Sequence, residues 1–285
     1  MKKIISLILT LFVSLLCGCS NKSEDDKKIS KSIDNMVLVK GGSIKNEKSR
    51  YASSNKEISD FYIGKYEVTQ KEWNEVMDNN PSKFKGDNLP VEMVSWYDCI
   101  EYCNKRSEKE ELKPYYNIDK NKKDRKNTCQ YDEQKWSVTI NEDADGYRLP
   151  TELEWEYAAE GGNNSKSFDY SGSSNIEDVA WYWKNAGDNE LTGDWNWANI
   201  EKNNNKTKDV GAKQSNEIGL YDMSGNVREW CFDWYRDAEA PDGFYKVWKG
   251  GGFIGDARAC ESYYRGKFEP NGMGSDQGFR ICKNK

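Results

Sequence analysis

The stretch GYRLPTELEWEYAAEGG, residues 146–162, carries its own start and stop signals. Thr151 and Glu154 have the S/T-x-x-E spacing of a capping box, Pro150 stands just before them, and the apolar run ends at Gly161-Gly162, where a left-handed residue closes a helix. Working outward, TQKEWNEVMD reads as a helix capped by Thr69, with Trp73, Val76 and Met77 at helical spacing. VSWYDCIEYCNKRSEKE reads as another, capped by Ser95, with Cys99 and Cys103 on one face four residues apart. The long polar segment after it is an excursion that contains one short strand, KWSVTI. MVLVKGG, ISDFYIGKYEVT, GLYDM, NVREWC, KVWKGG and GFRIC read as short strands joined by glycine turns. Residues 163–216, rich in Asn, Ser, Gly and Asp, predict little regular structure. Few helices, short strands and much coil define an α+β fold, in one domain spanning residues 36–285.

The composition narrows the function classes. With 11 Trp and 17 Tyr but only 36% hydrophobic residues, core and pockets are expected to be aromatic. A net charge of -6 argues against nucleic acid as a partner, because phosphate binding depends on a dense Lys/Arg surface. Lys2-Lys3, the run IISLILTLFVSLL and the sequence CGC read as a signal peptide, residues 1–18, too short to span a membrane comfortably. LCGC resembles a bacterial lipobox, which implies a lipid on Cys19 and anchoring to the bacterial cell envelope, surface-exposed; a plain signal peptide is the alternative. Residues 19–35 are polar, charged and free of aromatics, and read as a flexible tether. Six further cysteines remain, and an exported setting permits disulfides among them.

VEMVSWYDCIEYCN, GYRLPTELEWEYAAEGG, IGLYDMSGNVREWCFDWY, KGGGF and GFRIC occur in the order and near the spacing of the formylglycine-generating, sulfatase-modifying family, and the resemblance covers residues 36–282. It implies a C-type-lectin-like α+β fold. It also implies a structural calcium held by Asp222, Met223, Gly225, Val227 and Glu229, a set of carboxylates and turn carbonyls that suits a hard cation. A second calcium site would start at Asn199-Ile200 but lacks its acidic loop. Active relatives use two cysteines that bind copper; here those positions are Gly255 and Cys260, and the chain has no His. One thiolate does not capture Cu(I), so no copper and no catalysis are expected. A further family cysteine is Ala159, and its partner aligns near Arg265. The resemblance suggests a disulfide from Cys103 to Cys282, then Cys231 with Cys260, leaving Cys99 and Cys129 as a third pair; buried free thiols are the alternative.

Residues 248–282 also resemble the variable region of retroelement-diversified lectin-fold proteins, treponemal variable lipoproteins among them. In those proteins asparagine codons are rewritten at adenines. Such a codon ending in a pyrimidine never becomes Lys, Glu, Gln, Met or Trp, so Glu261, Lys267, Glu269, Met273 and Gln277 would be framework. The display positions are then Phe253, Ile254, Gly255, Asp256, Arg258, Tyr263, Tyr264 and Phe268, with Asn271, Ser275 and Asp276, and with the glycines 266, 272 and 274. Rings supply rigid contact area there, and small polar residues supply adaptable contacts. The reading is a non-catalytic, calcium-stabilised, monomeric surface lipoprotein that binds a protein or glycan ligand. Its alternative is a formylglycine-generating-type oxidase acting on an exported sulfatase. A blander one is an accessory lipoprotein that packs on another envelope protein.

Overall fold

A computed structural model describes residues 35–285 except Asn55 and Glu239. The expected signal peptide, Cys19 and all of the tether but Asn35 lie outside the described residues. Among the described residues, no helix is long and apolar enough to cross a membrane.

One sheet has the order β1-β2-β10-β5, built from β1 (Met36–Val39), β2 (Phe61–Gly64), β5 (Tyr147–Arg148) and β10 (Cys282–Asn284). All its pairings are antiparallel, with Cys282 opposite both Ile63 and Arg148. A second sheet, β8-β7-β6-β9, comprises β6 (Arg228–Trp234), β7 (Lys246–Lys249), β8 (Gly266–Phe268) and β9 (Gln277–Gly278). A hairpin of β3 (Tyr116–Lys123) and β4 (Trp136–Ile140) stands apart from both.

The helices start where local chemistry directs. Before α1 (Gln70–Asn74), α2 (Trp96–Lys109) and α3 (Glu152–Ala159), the hydroxyls of Thr69, Ser95 and Thr151 accept from the N3 backbone, and the N3 carboxylates of Glu72, Asp98 and Glu154 accept in return. Arg148 anchors the third box through a bidentate pair to Glu154 at 2.7 and 2.8 Å. Helix α1 is shorter than its pattern predicts. Glu75 caps it, and Val76 and Met77 reach the core from a turn.

Four expectations change. GLYDM is not a strand: Asn216 accepts from the amides of Ile218 and Leu220 and, with Gly219 at φ 83°, closes a turn there. Strand β3 escapes sequence reading because beyond Ile118 it is fully exposed and carries no apolar alternation. The segment 163–216 holds two short helices, α4 (Ile176–Val179) and α5 (Trp197–Lys202), each capped by an asparagine. The cysteines are the fourth. All six described cysteines are buried free thiols, so neither Cys103–Cys282 nor Cys231–Cys260 is bridged, nor Cys99–Cys129. Cys231 packs with Cys282 in one apolar cluster, while Cys260 packs with Tyr182, Trp183 and Ile200 in another.

The core is aromatic, as expected. Trp73 stacks on Tyr102 at 5.4 Å, and Phe279 meets both rings edge-on. Ala159, expected to match a family cysteine, is fully buried in the apolar cluster that includes the first sheet, and Arg265 forms a bidentate pair with Glu152.

Candidate functional site: a cavity and ridge beside the glycine loop

Strand β7 is followed by Gly250-Gly251, both with positive φ (86° and 68°), a backbone turn that side chains disfavour. Phe253 N then donates to Asn226 O, Gly255 N closes a turn on Gly252 O, and Trp183 N donates to Gly255 O. A short 3₁₀ turn at Arg258–Cys260 follows, with Asp256 Oδ1 accepting from Ala259 N.

Two features form on this loop. One is a cavity of about 490 Å³ lined by Phe253, Ile254 and Ser275 from the C-terminal region and by Phe84, Trp197 and Lys206 from elsewhere. Trp195 and Trp197 stand at its side, 49% and 46% exposed, and the Trp195 indole donates to Ile254 O at 2.7 Å. These are the functional candidates that sequence reading missed. The available signal was the pair of indoles in GDWNWANI, a polar segment with no apolar period to bury them.

The other feature is a ridge of alternating cations and rings. Arg258 lies over Tyr264 at 5.8 Å, Tyr264 packs on Trp248 at 5.8 Å, and Arg228 lies over both Trp248 (5.2 Å) and Phe268 (5.4 Å). Such pairs contribute roughly 0.5–1 kcal/mol each when exposed.

The expected display residues separate by burial. Asp256 and Arg258 are exposed, and Ile254, Gly255, Tyr263, Tyr264, Phe268, Asn271 and Ser275 are half-buried. Phe253 and Asp276 are corrections. Phe253 is buried edge-on against Phe84, and Asp276 is buried in a 2.6 Å pair with Arg228. Gly266 is another, because a Cβ there would sit 2.0 Å from the Trp248 ring. Asn271 is tied to Tyr131 O, and Tyr263 donates to Asp169. Exposure does not follow the codon argument, since Met273 and Lys267, expected as framework, are both exposed.

The expected calcium residues form a buried charge cluster. Asp222 Oδ2 accepts from Gly211 N, while its Oδ1 is buried without a hydrogen-bond partner. Glu67, absent from the sequence expectation, accepts from Asn226 Nδ2 and Val227 N. Burial, then the charges of Asp222 and Glu229, pushes the Glu67 carboxyl well up; burial lifts Asp222 to about 6. Glu229 departs from expectation: both of its oxygens accept from Arg280 at 2.6 Å, and Trp155 donates to one of them. No group of three or more His, Cys, Asp or Glu side chains set to hold a metal occurs among the described residues. The expected set rests mainly on backbone oxygens, and it fits a hard cation through Asp222 Oδ1 and the excess of three carboxylates over one arginine. Asn199-Ile200 does not fit, because those carbonyls accept from Asn203 and Asn205 as α5 closes.

Residues 22–285 match the Sulfatase-modifying factor enzyme 1-like domain. The chain is 54% identical, over the full length of both proteins, to the chaperone protein LppX of Paenibacillus barcinonensis. It is 33% identical to the formylglycine-generating enzyme of Streptomyces coelicolor over 165 residues, about half of each chain. Among solved structures, Treponema denticola variable protein 1 superposes with a TM-score of 0.65 at 31% identity, covering 87% of this chain and 95% of that one. CarF gives 0.64 at 26% identity, covering 88% and 98%. The fold is thus the C-type-lectin-like α+β architecture of these proteins, and the chain belongs to the Sulfatase-modifying factor enzyme 1-like family.

Proposed function

We propose that this protein is a non-catalytic, lipid-anchored binding protein of the bacterial cell envelope, whose ligand meets the cavity and the cation–ring ridge. The observation that carries this reading is the state of the expected reactive pair. Gly255 offers no side chain, and Cys260 is wholly buried, its thiol pushed far up by burial and then by Asp256 and Glu261. A thiol held protonated is neither a nucleophile nor a soft-metal ligand. The similarity to a protein named for variability and to one named a chaperone favours binding over turnover, and the second favours an exported polypeptide over a glycan as ligand.

Two assays of the full chain test this. With a sulfatase-motif peptide and copper, no cysteine-to-formylglycine conversion is expected; turnover that disappears in Cys260→Ser would establish the oxidase instead. In a chaperone assay, the chain is expected to suppress aggregation of reduced insulin. Trp197→Ala should weaken that suppression about tenfold or more, the usual effect of truncating an indole anchor. Equal suppression by wild type and variant removes the cavity from the site. Diversification of residues 248–282 has a separate genomic check, a near-copy of their coding stretch beside a reverse-transcriptase gene.

Calcium at Asp222 and the carbonyls of Met223, Gly225 and Val227 belongs to the same proposal. Because the Asp222 carboxyl is raised from 3.8 to about 6, the calcium-free folded state binds more protons than the unfolded chain between those values. Its stability therefore falls as pH rises from about 4 to 6, by on the order of 3 kcal/mol from this group. Calcium should restore that stability at pH 7, raising Tm, and Asp222→Asn should raise Tm without calcium and abolish the response. A Tm indifferent to both calcium and Asp222→Asn excludes the ion from this cluster.

A further inference from the structure

A second cavity, of about 400 Å³, shares no lining residue with the first. Trp96, Trp136, Phe232 and Trp234 wall it, and Lys246 of β7 lines it. The two lysines of β7 have opposite surroundings. Lys249 is fully buried with its Nζ 2.7 Å from Glu156 Oε2, an ordinary neutralised pair. Lys246 is 3% exposed and forms no ion pair with a described residue; its ammonium donates to Phe232 O at 2.9 Å and lies 3.9 Å and 4.0 Å from the Trp96 and Trp234 ring centres.

Nothing in the binding surface or the charge cluster uses this amine. A lysine desolvated against rings and bordering a cavity has the environment that turns the side chain into a carbonyl nucleophile. The cavity rim supplies the second element. Arg50 is exposed and, among the described residues, donates from Nη1 to Arg236 O, and Lys56 lies beside it over Tyr51. Arg265, by contrast, is committed to Glu152.

We propose that Lys246 captures a small aldehyde or 2-oxo compound bearing an anionic group as a reversible imine, with Arg50 and Lys56 answering the anion. The Nζ lone pair attacks the carbonyl carbon, and a proton passes from nitrogen to oxygen to give a carbinolamine. Loss of that oxygen as water leaves the C=N bond. Water is the sole by-product, no oxidant or reductant is consumed, and hydrolysis returns both partners.

The charged groups around the amine oppose one another. Asp233 from β6 and Asp124, just after β3, favour the ammonium, as do the indole faces. The arginines 50, 236 and 265 and Lys56 line the same cavity, Glu152 is neutralised by Arg265, and Tyr51 and Tyr97 have pKa values raised above the ordinary phenol by burial. Burial dominates and lowers Lys246 to about 7, so free amine is present at neutral pH.

Glyoxylate is the probe. The intact wild-type protein is incubated with glyoxylate and cyanoborohydride between pH 5 and 9, digested and mapped by mass spectrometry. The expected result is a carboxymethyl group on Lys246, with a rate that rises through about pH 7 and then levels, while Lys249 stays unmodified. Lys246→Arg should lose that adduct. Fixation only on exposed lysines such as Lys56 and Lys267, or no fixation at all in the folded protein, overturns the proposal. The wild-type map decides even where the variant fails to fold.

Discussion

Replacing Arg280 by methionine is expected to remove about 3–5 kcal/mol of folding stability, read as a fall in the urea midpoint with an unchanged slope. Arg280 and Glu229 are both fully buried, joined by two 2.6 Å bonds. The guanidinium also donates to Gly64 O and Tyr221 O, so one side chain ties the end of β2 and the turn before β6 to the segment between β9 and β10. Methionine supplies similar volume but no charge. It leaves the buried Glu229 side chain without its guanidinium partner beside Glu67 and Asp222, with the Trp155 indole as its remaining donor among the described residues. Adding Glu229→Gln should recover a large part of the loss, because it removes the charge that the first change orphans. A single variant within 1 kcal/mol of wild type would mean that these carboxylates are protonated or otherwise neutralised in the folded state.

Gly225→Ala should be nearly as damaging, at about 3 kcal/mol or more. Gly225 has φ 82°, and a Cβ there would lie 2.3 Å from Trp181 O and 2.7 Å from Trp181 N. Both obstacles are backbone, and Gly225 N is itself held by Gly250 O at 2.7 Å, so neither side yields. Gly193→Ala is the internal control. Its φ of 80° carries the same conformational strain, but nothing lies within 4 Å of the added carbon. That variant should lose only about 1–2 kcal/mol. Equal losses would attribute the Gly225 effect to φ alone.

Much of the framework was legible because its signals are local. A capping box is a contract between residues three apart, so Thr69, Ser95 and Thr151 declared their helices without any knowledge of the rest of the chain. Asn216 could not be read that way. Its amide holds a turn where β-forming residues suggested a strand, and that preference was overridden by a side chain two and four residues upstream. In the candidate site, the glycine turn and the rings of Tyr264 and Phe268 were singled out from the sequence, while Trp248 and Arg228 between them were not. Phe253 was misassigned because nothing local says that Phe84 waits to cover it.

By itself, the sequence determined the class of fold, the three capped helices and the aromatic character of the core. Tertiary structure decided which charges share a dielectric environment. Glu67 joins residues more than 150 positions away, Lys249 pairs with Glu156 while Lys246 three residues earlier packs against rings and donates to a carbonyl, and Cys231 and Cys260 part into different clusters. Caps and turns are set by bonds within a few residues. Desolvation and ion pairing depend on which distant segments close over a side chain.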